Sequence, residues 1–132
     1  MPQLQNLVLT DRAATPVAHT FTPRDVIANV GTVEETDGTL VGAKTLSISL
    51  RKLSDGRARI TMKEVFPVVV TQTINGVAVP AVARSAYIDT TITFDPKSTT
   101  QERKDAIGMH QSAFDPSKVL VNDVVIGLQG VY

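Results

Sequence analysis

Residues 84–94 are Arg84-Ser85-Ala86-Tyr87-Ile88-Asp89-Thr90-Thr91-Ile92-Thr93-Phe94, a stretch in which polar and apolar side chains largely alternate. Because successive side chains of a strand point to opposite faces, the alternation predicts a strand with one polar and one apolar face. The polar face carries Tyr87, Asp89, Thr91 and Thr93, and the apolar face carries Ile88, Ile92 and Phe94. A ring, a carboxylate and hydroxyls in register are more typical of a docking surface than of a buried strand.

A second polar face is predicted in the middle of the chain, where the alternation is strongest. Residues 45–51 place Leu46, Ile48 and Leu50 inward and Ser47, Ser49 and Arg51 outward. Residues 54–56, Ser-Asp-Gly, are a hairpin turn signal, and the returning strand is predicted over residues 57–70. That strand carries Ile60 and Met62 on one side and Arg59, Thr61 and Lys63 on the other. Its polar face can therefore continue the polar face of the preceding strand.

The N-terminal part predicts a hairpin. Residues 4–10 and 17–22 are short strand candidates joined by the turn-rich residues 11–16. The pattern of residues 23–33 is ambiguous, and residues 34–38 predict an acidic turn that ends in Asp-Gly.

Residues 71–80 carry unusually many apolar side chains around Asn75-Gly76. Asn-Gly between β-branched residues is a hairpin signal, which favours an extended hairpin tip packed inside its own subunit. The alternative is a loop buried against a neighbouring molecule. Just before this segment, Pro67 lacks a ladder donor and predicts a strand end or a bulge.

Two helices are predicted after residue 94. Ser98 with Gln101, or Thr99 with Glu102, gives overlapping capping-box candidates at the start of the first helix. Its apolar stripe comprises Ala106, Ile107, His110, Ala113 and Phe114. A second, short helix is predicted over residues 117–123. The predicted fold class is α+β, with six or seven strands followed by two helices.

Composition bounds the function. A chain of 132 residues suits one domain over residues 1–132, and a domain of this size gains stability readily by association. Its 13 basic and 13 acidic side chains balance, so attraction to a polyanion must come from a local cluster. The absence of cysteine excludes disulfides and thiolate chemistry. Apolar runs such as residues 65–70 are too short to cross a bilayer and no signal peptide is visible, so we expect a soluble, unexported chain.

The sequence offers no convergent catalytic set. The two histidines, His19 and His110, have no spacing that suggests shared metal ligation, and His110 fits a packing or interface role on the helix stripe. Glu34 and Glu35 are adjacent, so their side chains point apart. No phosphate-binding glycine loop, nucleophile elbow or His-Glu-x-x-His motif occurs. We therefore expect no enzyme, no metal and no cofactor.

A nucleic-acid surface needs cations for phosphates, hydrogen-bonding groups for bases and a ring for stacking. The predicted polar strand faces supply all three if the strands are neighbours in one sheet. The candidate nucleic-acid-binding residues are Ser47, Ser49, Arg51, Arg59, Thr61, Lys63, Tyr87, Asp89 and Thr91. From spacing alone, simply solvated strand faces are an equal alternative. Asp89 fits least well, because a carboxylate repels phosphate and is useful only for accepting from a base amino group.

Taken together, these segments resemble the coat proteins of the small positive-strand RNA bacteriophages, the leviviruses. Residues 84–89 look like the RNA-facing strand of that family, and residues 71–80 are similar to the long loop before it. The hairpin from residues 47–51 to residues 61–63 and the end at residues 130–132 also match. The resemblance spans essentially the full chain, and the order and spacing of the motifs make it fairly specific.

The resemblance implies an N-terminal β-hairpin, a five-stranded antiparallel sheet and two C-terminal α-helices. It also implies an intertwined homodimer with a continuous ten-stranded sheet, in which the helices of each subunit lie over the partner. Such dimers would assemble into a quasi-equivalent icosahedral shell, with an inter-dimer loop around its symmetry axes. That loop comprises Thr71, Gln72, Thr73, Ile74, Asn75, Gly76, Val77, Ala78, Val79 and Pro80. This reverses the preference for a self-contained hairpin tip.

The resemblance further implies that the sheet binds a single-stranded viral RNA hairpin, packages the genome and represses replicase translation. The RNA-binding residues that it implies are Ser47, Ser49, Arg51, Arg59, Thr61, Lys63, Tyr87 and Asp89. Of these, Tyr87 would stack on a loop base and Arg59 and Lys63 would meet phosphate. The hydroxyls of Ser47, Ser49 and Thr61 would hydrogen-bond bases. The chain would reside in the virion after assembly in the bacterial host cytoplasm, with no membrane, small-molecule substrate or cofactor. Asp89, Val65 and Glu64 depart from the family pattern. The alternative function is a non-viral dimeric β-sheet RNA-binding module.

Overall fold

The computed structural model describes residues 2–36 and 41–132. In this part of the chain an antiparallel sheet of six strands is followed by two helices, which confirms the predicted α+β class. The elements are β1 (Leu7–Thr10), β2 (Ala18–Ile27), β3 (Val30–Glu35), β4 (Lys44–Lys52), β5 (Ala58–Ile74), β6 (Val77–Phe94), α1 (Thr100–Ala113) and α2 (Val119–Val125). The strands lie side by side in chain order from β1 to β6.

The chain divides into two compact units. The first unit, Met1–Thr93, holds nearly all of the sheet, and the second, Phe94–Tyr132, holds both helices. The single domain over residues 1–132 stays a prediction. Neither α1 nor α2 has the length and apolar character needed to cross a membrane, and no other helix occurs among residues 2–36 and 41–132.

The N-terminal hairpin differs from the prediction at both ends. β1 starts at Leu7 rather than at residue 4, and β2 continues to Ile27. β2 pairs with β1 through residues 18–21 and with β3 through residues 22–27, so one long strand belongs to both the hairpin and the rest of the sheet. This double use resolves the ambiguous pattern of the sequence after residue 22.

The predicted acidic turn over residues 34–38 is wrong at its start. Glu34 and Glu35 are the last two residues of β3, where they pair with Thr45 and Lys44 of β4. Ladder hydrogen bonds and an opposite charge across from Glu35 outweigh the low strand propensity of glutamate. The rest of the predicted turn, residues 37 and 38, lies outside the described residues.

The β4–β5 hairpin forms at the predicted turn, where Gly56 has a φ of 88°. β5 continues through Pro67 to Ile74, so of the two alternatives predicted at this proline the strand end is wrong. The segment of residues 71–80 is the tip of the β5–β6 hairpin, closed by a turn at Asn75 and Gly76. All ten residues of this tip are exposed, which excludes a tip packed inside its own chain.

The core lies on one face of the sheet. Phe21, Val33 and Leu46 are buried there, with Phe21 only 1% exposed. Partly buried apolar side chains pack around them: Leu4, Leu7, Leu9, Met62 and Phe66. The prediction that Leu46, Ile48 and Leu50 all point into a core holds only for Leu46. Ile48 and Leu50 are 43% and 58% exposed, because the N-terminal segment covers the apolar face only near Leu46.

The helical unit begins with the predicted capping box, and of the two candidates the Thr99–Glu102 pair forms it. The Thr99 hydroxyl accepts from the Glu102 backbone N–H, and the Glu102 carboxylate accepts from the Thr99 N–H. The second helix starts two residues later than predicted and ends at Val125. Neither helix buries a single residue.

Candidate nucleic-acid interface

Six of the eight candidate RNA-binding residues are brought together by the pairing of β4 with β5. The register places Ser47 opposite Lys63, Ser49 opposite Thr61, and Arg51 opposite Arg59. Residues directly opposite each other in an antiparallel pair share a face, and alternate pairs along the ladder share the same one. Hydroxyls and cations from both strands therefore form one polar row, which we call the polar ladder.

The polar ladder continues onto β3 through a residue that the sequence did not single out. Thr32 lies opposite Ser47, and its other neighbour across the sheet is Asp25 of β2. Thr32 is 9% exposed, so its hydroxyl lies low in the surface. It falls in the ambiguous residues 23–33, where no local pattern fixed the face of any side chain.

The cations of the polar ladder keep their charge available. Within residues 2–36 and 41–132, Arg51, Arg59 and Lys63 take part in none of the ion pairs, which instead involve His19, Arg24 and Arg57. Arg51 and Arg59 face each other directly, which places two positive charges side by side. Like charges in this position repel, and an anion between them would relieve the repulsion.

Tyr87 and Asp89 lie on β6, next to β5. The two-residue turn between these strands has positive φ at both positions, 52° at Asn75 and 79° at Gly76. Uninterrupted pairing from this turn would put Tyr87 opposite Glu64, on the apolar face. One additional residue in either strand, a β-bulge, puts Tyr87 on the face of Lys63 instead.

The pattern of burial favours the bulged arrangement. From Asp89 onward, exposed Asp89, Thr91 and Thr93 alternate with half-buried Thr90, Ile92 and Phe94, while Tyr87 and Ile88 are both exposed. Along β5, Arg59 and Lys63 are exposed, whereas Ile60 and Met62 are half-buried. Pro67 and Pro80, which lack a ladder donor, lie between the turn and Tyr87, where such a bulge fits.

Two of the departures noted in the sequence have structural counterparts. Glu64 lies opposite the buried Leu46, on the apolar face, and Val65 lies opposite Thr45, on the polar face. Burial raises the pKa of the Glu64 carboxyl above its ordinary value. An extension of the polar ladder to residue 65 would need a polar side chain there, but that position holds Val65 and the charged Glu64 lies on the apolar face.

Metal chemistry finds no support in the described part of the chain. No group of three or more His, Asp or Glu side chains is arranged there to hold a metal ion. The rings of His110 and Phe114 form a T-shaped contact with centroids 5.3 Å apart, which suits the packing role predicted for His110.

The levivirus coat protein family profile matches residues 2–132 of the chain. A capsid protein of Pseudomonas phage PRR1 is 49% identical over 130 residues, which cover 98% of this chain and 99% of that protein. The chain belongs to the levivirus coat protein family. It is thus a structural capsid protein, from a family that is not one of enzymes, and its place is in the virion.

Solved structures agree with this assignment. A virus-like particle of bacteriophage ESE058 matches with a TM-score of 0.84 and 26% identity, covering 99% of this chain and 100% of that one. The bacteriophage GA protein capsid matches with a TM-score of 0.79 and 22% identity over 98% of both chains, which bears on the fold alone. The coat protein has the fold of these capsid proteins. The RNA-binding role of its eight candidate residues stays a prediction.

Proposed function

We propose that this coat protein pairs with a second copy of itself, assembles into a closed icosahedral shell and binds a viral RNA stem-loop on its polar ladder. Binding there would package the genome and repress replicase translation, with assembly in the bacterial host cytoplasm. The observation that carries the RNA-binding part is the polar ladder itself, with opposed hydroxyls and three cations that form no ion pair with the described residues, all on one face. The relative at 49% identity, a capsid protein, supports the shell.

Pairing of two copies is supported by the apolar surface that one chain leaves open. Neither helix buries a residue, and α2 and the tail expose large apolar side chains. These include Val119, Leu120, Ile126, Leu128 and Val131. On the sheet, Ile48 and Leu50 are also uncovered. Exposed apolar side chains in this number mark an interaction site, and a second copy of the chain would bury the helices of one subunit against the sheet of the other.

Contacts between dimers are supported by the hairpin tip. Ile74 and Val77 are 53% and 61% exposed at the end of a hairpin whose residues 71–80 are all exposed. An isolated hairpin is marginally stable in water, and its exposed strand edges favour association. Residues 71–80 are therefore the segment that we assign to contacts around the symmetry axes of the shell.

Electron microscopy of the purified protein tests the shell directly, because a coat protein of this kind should form closed particles without any other viral protein. We expect uniform shells that protect RNA from added nuclease. A small species that forms no shells under any buffer condition would overturn the proposal and would favour a dimeric RNA-binding module.

A variant of the hairpin tip separates assembly from dimer formation. Changing Ile74, Val77 and Val79 to Thr keeps strand propensity while removing apolar surface. We expect dimers that fail to close into normal shells, as judged by light scattering and microscopy. Val8→Thr is a matched control, since Val8 is similarly exposed, at 57%, but lies on β1. Normal shells from the tip variant would remove these side chains from the inter-dimer contacts.

A further inference from the structure

His19 joins three segments of the sheet unit through both of its ring nitrogens. Its Nε2 lies 2.8 Å from Oδ2 of Asp11, in the turn after β1, and its Nδ1 lies 2.8 Å from Oε1 of Glu35, at the end of β3. A neutral imidazole has one N–H and one lone pair, so it can donate to only one of two carboxylates. Both contacts are satisfied together only when the ring is protonated.

Asp11 is itself fixed in this arrangement. Its Oδ1 accepts hydrogen bonds from the backbone N–H groups of Ala13 and Val17, and its own N–H donates to the Val17 carbonyl. The bonds from Val17, His19 and Ala13 lower the pKa of Asp11 to about 2. Asp11 is therefore an anion at neutral pH. It cannot donate a hydrogen bond to the nitrogen that carries no proton in a neutral His19.

The contact between His19 and Glu35 joins the part of β2 that pairs with β1 to strand β3. His19 lies where β2 pairs with β1, whereas the pairing of β2 with β3 begins only at Thr22. Across the ladder, His19 is opposite Leu9, and Leu9 and Leu7 pack on the core cluster of Phe21, Val33 and Leu46. His19 thus connects the β1–β2 hairpin, whose Leu7 and Leu9 pack on the core cluster, to β3, which contributes Val33 to that cluster.

We propose that protonated His19 is a latch that holds the β1–β2 hairpin closed over the core, and that loss of this proton loosens the hairpin. The latch goes beyond the proposed RNA and shell functions and does not depend on them. It would make the cover of the core responsive to pH in a protein without cysteine or metal ligand clusters in its described part.

The direction of the latch is set by Asp11 and Glu35, and two cations also lie close to these carboxylates along the chain or across the ladder. Arg12 follows Asp11 in the turn, and Lys44 of β4 lies opposite Glu35 in the ladder. The hydrogen bonds to Asp11 and then to Glu35 raise the pKa of His19. A raised folded-state pKa contributes stability that is full below the ordinary value of 6.5 and is lost as the pH rises through the folded value. The latch therefore opens toward alkaline pH.

Hydrogen exchange of the full-length protein, followed by mass spectrometry, tests the latch with two readouts. Amide exchange, corrected for the intrinsic effect of pH, reports opening of β1, and slow exchange at the imidazole C2 position reports the ionisation of each histidine. We expect His19 to titrate above the ordinary histidine value of 6.5. We also expect the protection of residues 7–10 to fall severalfold from about pH 6 to about pH 9, relative to β4.

Three variants make the test specific. His19→Gln should lose protection of β1 already at about pH 6 and show no further pH response. Glu35→Gln lets a neutral His19 donate to Asp11 and accept from the new amide, so protection should persist at alkaline pH. His110→Gln should behave as the wild type. Titration of His19 at or below the ordinary value of 6.5, or an unchanged pH response in Glu35→Gln, would overturn the latch.

Discussion

Arg51 and Arg59 lie directly opposite each other on β4 and β5, on the face that carries the candidate RNA-binding residues. Two like charges in this position destabilise the free protein and make the site ready for an anion. A surface built only for folding stability would not keep such a pair.

We expect Arg51→Gln to raise the free energy of unfolding by about 0.3 kcal/mol without RNA while weakening RNA binding. Removal of one charge relieves the repulsion but deletes a phosphate contact. Chemical denaturation at low salt and RNA titration would measure the two effects. Lys52→Gln is the control, because Lys52 is the next residue of β4, on the other face, opposite Ala58. If Arg51→Gln is destabilising, or binds RNA as well as the wild type, the interpretation of the pair fails.

Replacement of Glu64 by an apolar residue should give a second gain in stability. Its carboxylate lies on the apolar face opposite Leu46, and within the described residues no cation forms an ion pair with it. We expect Glu64→Leu to stabilise the protein by roughly 1 kcal/mol at neutral pH, since burying an unpaired polar group is costly. Lys63→Leu, on the exposed face one residue away, should give no such gain.

The same substitution has a pH dependence of known sign. Burial raises the folded-state pKa of Glu64, so the wild type loses stability as the pH rises through the ordinary value of 4.5 toward the raised value. The advantage of Glu64→Leu should therefore shrink in acid. Thermal unfolding at several pH values measures it, and an advantage that grows in acid would contradict the assigned cause.

The β2–β3 turn predicts a stabilising change far from the candidate interface. Ala28 has a φ of 50°, a left-handed conformation that costs an alanine about 1 kcal/mol and that asparagine adopts more readily. We expect Ala28→Asn to raise the free energy of unfolding by roughly 0.5–1 kcal/mol. Ala13→Asn, in a turn without positive φ, serves as the control. Equal effects of both substitutions would mean that the gain does not come from the turn conformation.

The sequence predicted the parts of the fold in which local signals agree. The alternation of residues 45–51 and the turn at Gly56 fix the register of β4 with β5, and with it the shared face of Ser47 and Lys63. The Thr99 capping box likewise sets the start of α1. In each case a few neighbouring residues decide the outcome, so no tertiary information was needed.

The sequence failed where partners distant along the chain decide. Glu35 belongs to a strand because Lys44 and His19 lie beside it, and no local pattern reveals either neighbour. The latch was missed for the same reason, since its residues are 8 and 16 positions apart. The face of Tyr87 depends on the register between β5 and β6, which alternation within one strand does not encode.

The central claim, that the polar ladder binds RNA phosphates, is tested most directly by the salt dependence of RNA affinity in Lys63→Ala. Each phosphate contact releases about one counterion, so log affinity should fall less steeply with log salt, by about one unit of slope. Lys52→Ala, on the opposite face, should keep the wild-type slope. An unchanged slope and affinity in Lys63→Ala, or an equal change in Lys52→Ala, would contradict the claim.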